Sequence, residues 1–84
     1  MNIRIDTEAR AVYMEFKPDK VARTVEFAPE TFVDLDSKGH LLGVELLNPG
    51  TLEIQLRKIS KRFNIPDNKH LRVKLREARE LLSA

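Results

Sequence analysis

The spacing of apolar residues changes once along this chain, and that change limits the folds it can form. Up to residue 47 apolar side chains recur at every second position, as in Val12, Met14 and Phe16, which is typical of half-buried strands. From residue 52 onward they recur every three or four positions, which is typical of amphipathic helices. The change falls at the turn sequence Asn48-Pro49-Gly50. Strands come first and helices follow, so the sequence predicts an α+β domain.

The first part of the chain divides into five strand-like segments. Turn sequences separate them, such as Lys17-Pro18-Asp19-Lys20 and Asp36-Ser37-Lys38-Gly39, in which proline fixes φ and glycine permits a positive φ. The connections are too short for parallel crossovers, and the simplest arrangement is an antiparallel β-meander of four or five short strands. The segments are residues 3–6, 12–16, 21–27, 31–36 and 40–47.

The second part predicts one or two amphipathic helices packed on the sheet. The first should end near Phe63 or Asn64, because Ile65 precedes Pro66 and is biased away from helical ψ, and Asp67 can cap the second. Residues 70–75 also alternate like a strand, although the helix formers in 76–82 favour a helix. The apolar stripes are Leu52, Leu56, Ile59 and Phe63, then Leu71, Leu75, Ala78 and Leu82.

The length of 84 residues predicts a single domain, with a β-meander subregion at 1–48 and a basic helical subregion at 49–84. There is no Cys, which excludes disulfides, thiol catalysis and Cys-based zinc sites. A core this thin, without disulfides, often gains stability by oligomerisation. The first twenty residues are rich in charge and hold no apolar stretch for a signal peptide or a membrane span. We therefore expect a cytoplasmic protein that does not enter a membrane.

Charge is distributed unevenly between the two subregions. Residues 1–50 hold six basic and nine acidic groups, whereas residues 51–84 hold nine basic and four acidic groups. The basic side chains form either a plain solvated helix surface or a candidate surface for an anionic partner, which would be an acidic protein or nucleic acid. Nucleic acid is not favoured, because acidic residues are interspersed and Phe63, the single aromatic residue in this region, belongs to the apolar stripe. The surface comprises Arg57, Lys58, Lys61, Arg62, Arg72, Arg76 and Arg79.

No residue pattern predicts catalysis, a metal or a cofactor. Carboxylates at Asp6, Asp34, Asp36 and Glu45 could hold a hard cation, but Asp36 suits an Asx turn and Asp34 suits a solvent-facing strand position. His40 and His70 have no triad partners or metal-ligand spacing. The three glycines are too far apart for a phosphate loop, and Gly43 predicts a bulge or a close backbone approach. We expect that the protein is not an enzyme.

A candidate interface lies on the sheet face opposite Val12 and Met14. We assign to it Tyr13, Phe32, Leu41 and Leu47. If both helices cover the other face, this one needs a partner, and a self-complementary face gives a homodimer. If the second helix covers it, these residues are ordinary core.

A pattern of spaced residues runs through the first 48 positions and comprises Asp6, Ala9, Ala11, Tyr13, Val33-Asp34-Leu35-Asp36, Gly39, Gly43, Glu45 and Leu47. In this pattern the chain resembles a small prokaryotic family, Domain of Unknown Function 2283. It departs from the family pattern at Arg10, where members often have Asp. The resemblance implies a β-meander fold and no established activity, and the small toxin-like genes beside similar genes imply an antitoxin or partner-binding role.

Together these observations predict a small non-catalytic interaction module that self-associates. The alternative is a nucleic-acid-binding or antitoxin-like regulator that uses the basic C-terminal helices. The sequence identifies no physiological partner and no ligand.

Overall fold

The computed structural model describes residues 2–47, 50, 52–65 and 69–83. In this described part of the chain, five strands precede two helices, as the change in apolar spacing predicts. Each strand lies within two residues of its predicted limits, and residues 70–75 form helix and not strand. The elements are β1 (Asn2–Asp6), β2 (Ala11–Glu15), β3 (Arg23–Ala28), β4 (Thr31–Leu35), β5 (Leu41–Leu46), α1 (Leu52–Phe63) and α2 (Lys69–Ser83).

All five strands form one antiparallel sheet in the order β1-β2-β5-β4-β3. A β1–β2 hairpin and a β3–β4–β5 meander meet where β5 pairs with β2, so the predicted α+β fold with a meander-like sheet is confirmed. Residues 16–22 lead from β2 to β3 at the far edge. Three strand spacings measure about 14 Å, which seven residues span easily, since an extended chain covers about 3.3 Å per residue.

The turn between β4 and β5 has the hydrogen bonds that its sequence predicts. Asp36 Oδ1 accepts hydrogen bonds from the backbone N–H groups of Lys38 at 2.9 Å and His40 at 2.8 Å. Gly39 has a φ of 83°, a conformation that glycine adopts without steric cost. An Asx-type turn therefore sets the register between the two strands.

Two other turns contain residues that are unfavourable at a positive φ. Arg10 ends the β1–β2 turn with a φ of 54°, and Glu30 follows Pro29 in the β3–β4 turn with a φ of 59°. Arg10 is the position at which the chain departs from the pattern of the similar family. An Asp there would suit the left-handed conformation better than Arg.

Both helices pack on the sheet face that carries Val12 and Met14. The alternative in which α2 covers the opposite face is therefore wrong, because the buried side chains of α2 join the same cluster as those of α1. The core consists of Val12, Met14, Val33, Leu35, Val44 and Leu46 from the sheet, and Leu56, Ile59, Ala78 and Leu82 from the helices.

Helix α1 ends where the proline rule predicts. Asn64 has a φ of 56°, and its backbone N–H donates to the Ser60 carbonyl at 2.9 Å, which is the hydrogen bond of a left-handed C-cap. The predicted cap at Asp67 and the turn at Asn48-Pro49 lie outside the described residues, as do the side chains of Leu52, Leu71 and Leu75. Neither described helix is long and apolar enough to cross a bilayer.

Candidate functional site

The sheet has an open face, which we define by the side chains that alternate with the core residues and point away from both helices. In the described part of the chain no helix or strand packs on it. Tyr13, Phe32, Asp34 and Glu45 on this face are half-buried by their neighbours within the sheet. The open face includes Arg4, Tyr13, Glu15, Thr24, Glu26, Phe32, Asp34, Gly43 and Glu45.

A hydrogen-bonded network crosses this face. The Tyr13 hydroxyl on β2 donates to Asp34 Oδ2 on β4 at 2.7 Å, and the Thr24 hydroxyl on β3 donates to Asp34 Oδ1 at 2.6 Å. Strand β5 lies between β2 and β4, so the phenol must pass over it. It passes at Gly43, which is buried and has no side chain in the way.

Together with a ring contact and the gap at Gly43, this network forms an arrangement with one residue from each of the five strands. On β1 the Arg4 guanidinium carbon lies 4.9 Å from the centre of the Tyr13 ring, within the range of a cation–π interaction. Tyr13, Gly43, Asp34 and Thr24 continue the path to β3. The open face therefore has an ordered polar centre, in which both Asp34 oxygens accept hydrogen bonds.

The pKa of the Tyr13 hydroxyl is raised from 10.0 to about 12. Burial of the phenol is the largest cause, and the hydrogen bond to Asp34 and the negative charges of Asp34 and Glu15 add to it. Arg4 acts weakly in the opposite direction. The phenol is therefore a hydrogen-bond donor, not a base, at neutral pH.

The structure separates the four residues assigned to the candidate interface. Tyr13 and Phe32 lie on the open face in one cross-strand row, each in register with Glu45 on β5. Leu47 follows β5 and is 37% exposed. Leu41 instead packs against the core cluster, because the register between β4 and β5 shifts next to Leu35. Tyr13 and Phe32 are thus the aromatic part of the open face.

The carboxylates that could have formed a metal site engage different partners. Asp34 accepts from Tyr13 and Thr24, and Asp6 accepts from the backbone N–H groups of Glu8 and Ala9, both at 3.0 Å. Asp36 is used within its own turn. Among the residues that the structure describes, no three His, Asp or Glu side chains are grouped as metal ligands.

His40 lies beside the carboxylate of its own turn. Its Nδ1 is 3.1 Å from Asp36 Oδ2. The backbone N–H of His40, followed by that of Lys38 and by the imidazole, lowers the pKa of Asp36 below its ordinary value. His40 therefore acts in the described turn as a structural residue, and the side chain of His70 lies outside the described residues.

The candidate anionic-partner surface is exposed at all seven positions. The four α1 residues Arg57, Lys58, Lys61 and Arg62 form no ion pair with a described carboxylate, whereas Arg72 and Arg79 on α2 already interact with other groups. Lys74 on α2 pairs with Glu77 at 3.6 Å. The seven residues are Arg57, Lys58, Lys61, Arg62, Arg72, Arg76 and Arg79.

Local sequence patterns single out Tyr13, Asp34 and Gly43 one by one, but they do not predict that the three residues form one arrangement. Gly43 was predicted to mark a bulge or a close backbone approach, and the β4–β5 register does shift beside it. The group that approaches Gly43 most closely is the Tyr13 side chain, which a Cβ there would clash with. The missing information was the strand order. Only when β5 lies between β2 and β4 does a glycine on β5 open a path from Tyr13 to Asp34.

Comparison with known proteins concerns mainly the sheet. The family model described as "Protein of unknown function (DUF2283)" matches residues 2–48, more than half of the chain. The matched range covers all five strands and Tyr13, Asp34 and Gly43, and it excludes both helices. No curated protein and no solved structure matches the chain.

Proposed function

The chain belongs to the family of proteins of unknown function DUF2283, and from that premise we propose that it is a small non-catalytic interaction module that self-associates through the open face. The observation that carries the proposal is the placement of Tyr13 and Phe32. Both aromatic side chains lie on a face that no described element covers. A domain of this size gains stability by burying such a face in a second copy.

The charges on the open face favour one geometry of association. The strand register places five residues in one row across the sheet. The positive end of this row lies at the β1 edge and a negative end at the β3 edge, with the aromatic residues between them. In order, the row is Arg4, Tyr13, Glu45, Phe32 and Glu26.

A twofold axis parallel to the strands exchanges the two edges of the sheet. Arg4 of each copy then faces Glu26 of the other, and Tyr13 faces Phe32, in an isologous contact between sheets about 10 Å apart. An axis across the strands would set Arg4 against Arg4 and Glu26 against Glu26, which is unfavourable. The axis parallel to the strands brings the two Glu45 carboxylates together at the centre of the interface, and their repulsion weakens the dimer.

The test is a charge exchange followed by light scattering and sedimentation. We expect the wild type to form a dimer, Arg4→Glu and Glu26→Arg each to shift it toward monomer, and the double variant to restore it. Glu45→Gln should tighten the dimer, because it removes the central repulsion. Glu8→Arg, at an exposed turn position, is the matched control and should leave the mass unchanged.

Two results would refute this role. A wild-type protein that stays monomeric at millimolar concentration does not self-associate. A dimer that both single variants weaken and the double variant fails to restore uses a different contact.

The exposed basic residues of α1 support a second candidate role, the nucleic-acid-binding or antitoxin-like regulator. Lys58, Lys61 and Arg62 could neutralise phosphates without reading a sequence. Binding of duplex DNA would then weaken linearly with the logarithm of salt concentration, and charge removal at these residues would reduce the slope. A protein whose mass does not change with duplex DNA at low salt lacks this role.

A further inference from the structure

A groove runs between the edge strand β3 and helix α1, on the helix side of the sheet. Its volume is about 900 Å³. Among the described strands, β3 lies at the edge of the sheet and pairs with β4 alone. The lining residues are Arg23, Val25, Glu26, Phe27, Val33, Leu35, Lys58, Lys61, Arg62 and Phe63.

The floor of the groove is apolar and partly open to solvent. Val25 is 41% exposed although its register partner Val33 is buried. Phe27 and Phe63 are half-buried, with ring centres 6.4 Å apart and planes inclined at 52°. A partner that covered this floor would remove apolar area from water, which is favourable by about 25 cal/mol per Å².

The rim of the groove is basic. Arg23 lies at its β3 side, and Lys58, Lys61 and Arg62 lie at its α1 side, all exposed. Among the described residues of the lining, Glu26 is the single carboxylate. Among the described residues none of these four cations forms an ion pair with a carboxylate. The rim therefore offers positive charge around an apolar strip.

We propose that this groove binds an acidic amphipathic segment of a partner protein. Apolar side chains of the segment cover Val25, Phe27 and Phe63, and its carboxylates face the rim. A symmetric contact with a second copy is unfavourable here, because a twofold axis at the β3 edge would bring Lys58, Lys61 and Arg62 of both copies to the same side. The groove lies on the helix side of the sheet, shares Glu26 with the open face, and does not depend on self-association.

The apolar floor distinguishes this partner from nucleic acid. A single-strand binding site presents aromatic faces on which bases stack. Here Phe63 is half-buried against Phe27, and the Arg62 guanidinium lies 5.9 Å from its ring centre. A phosphate backbone would use the rim and leave the floor uncovered.

The test measures binding of a synthetic peptide in which glutamate and leucine alternate, by fluorescence anisotropy of a label on the peptide. We expect Lys58→Glu/Lys61→Glu to weaken binding at least about tenfold. Arg57→Glu is the control, since Arg57 is exposed on the same helix but does not line the groove. Val25→Asp should also weaken binding, whereas Val73→Asp, at a residue of α2 that is 43% exposed, should not.

Three outcomes would overturn the proposal. The first is no binding of the acidic peptide by the wild type. The second is equal weakening by Arg57→Glu and the groove variants, which would indicate a general positive field. The third is tighter binding of duplex DNA that is insensitive to Val25→Asp, which would assign the rim to nucleic acid. All variants lie at exposed positions, and circular dichroism checks that each one folds.

Discussion

The phenol of Tyr13 lies directly over Gly43, so that a Cβ at position 43 would clash with its Oη and Cζ atoms. Gly43 also sits between Glu15 and Asp34 in the register of the three central strands. The side-chain-free surface of Gly43 is therefore what lets a β2 residue reach a β4 carboxylate. Loss of that surface should disturb the open face without altering the core face.

We predict that Gly43→Ala lowers the free energy of unfolding by roughly 1–3 kcal/mol, because Tyr13 or the β5 backbone must move. Urea denaturation measures the change. In a Tyr13→Ala background the same substitution should cost much less, since the clashing side chain is gone. An equal cost in both backgrounds would locate the strain at the Met14 carbonyl, which lies 3.0 Å from the same Cβ position.

Tyr13 is the single tyrosine and the chain has no tryptophan, so its ionisation is visible by ultraviolet absorbance. We predict a pKa of about 12. Asp34→Asn should lower that pKa toward 10.0, because it removes the charge that accepts the phenolic hydrogen bond. Glu15→Gln, which removes a more weakly acting charge, should lower it less. A wild-type pKa of 10.0 would show that the phenol is not held against Asp34.

The raised Tyr13 pKa also predicts how stability depends on alkaline pH. The folded state holds the phenolic proton up to about pH 12, whereas the unfolded state releases it near pH 10. The stabilising contribution is therefore complete below pH 10 and is lost as the pH rises to 12. We expect the unfolding free energy of the wild type to fall over this range relative to that of Tyr13→Phe. Parallel curves for the two proteins would contradict the linkage.

Glu30 occupies a left-handed backbone conformation in the Pro29-Glu30 turn, which is costly for a residue with a long side chain. We predict that Glu30→Asn raises the unfolding free energy by roughly 0.5–1 kcal/mol, measured by thermal and urea denaturation. Asn tolerates this conformation without the chain entropy of glycine. Glu8→Asn, which removes an exposed charge at a position without a positive φ, is the control. An equal rise in the unfolding free energy of Glu8→Asn would show that removal of a negative charge, and not relief of the backbone conformation, stabilises the protein.

Gln55 is buried on the apolar side of α1, and its Oε1 has no hydrogen-bond partner among the described residues. We predict that Gln55→Leu raises the unfolding free energy by about 1–2 kcal/mol, since an unsatisfied buried carbonyl is replaced by an apolar group. Gln55→Glu should lower it, because a charge is then buried without a partner. If Gln55→Glu were more stable than Gln55→Leu, the side chain at position 55 would point to solvent.

The sequence is sufficient to predict the strands, turns and helices because each of them depends on local rules. Alternation at Val12 and Met14, the Asx turn at Asp36 and the αL cap at Asn64 involve residues within a few positions of one another. The Tyr13–Asp34 hydrogen bond spans 21 positions and depends on the strand order, which local spacing does not encode. Strict alternation of side chains places Leu41 on the open face, and this prediction is wrong because the β4–β5 register shifts beside Leu41.

The pairing of β2 with β5 also affects how the chain folds. The β1–β2 hairpin and the β3–β4–β5 meander each form from neighbouring segments of the chain. The β2–β5 pairing instead joins Val12 to Leu46 and so closes a loop that contains most of the sheet. Loop-closure entropy makes this the slow contact to establish. We therefore expect the hairpin and the meander to form first and then to dock by pairing β2 with β5. The Tyr13–Asp34 hydrogen bond forms only after this docking and stabilises it.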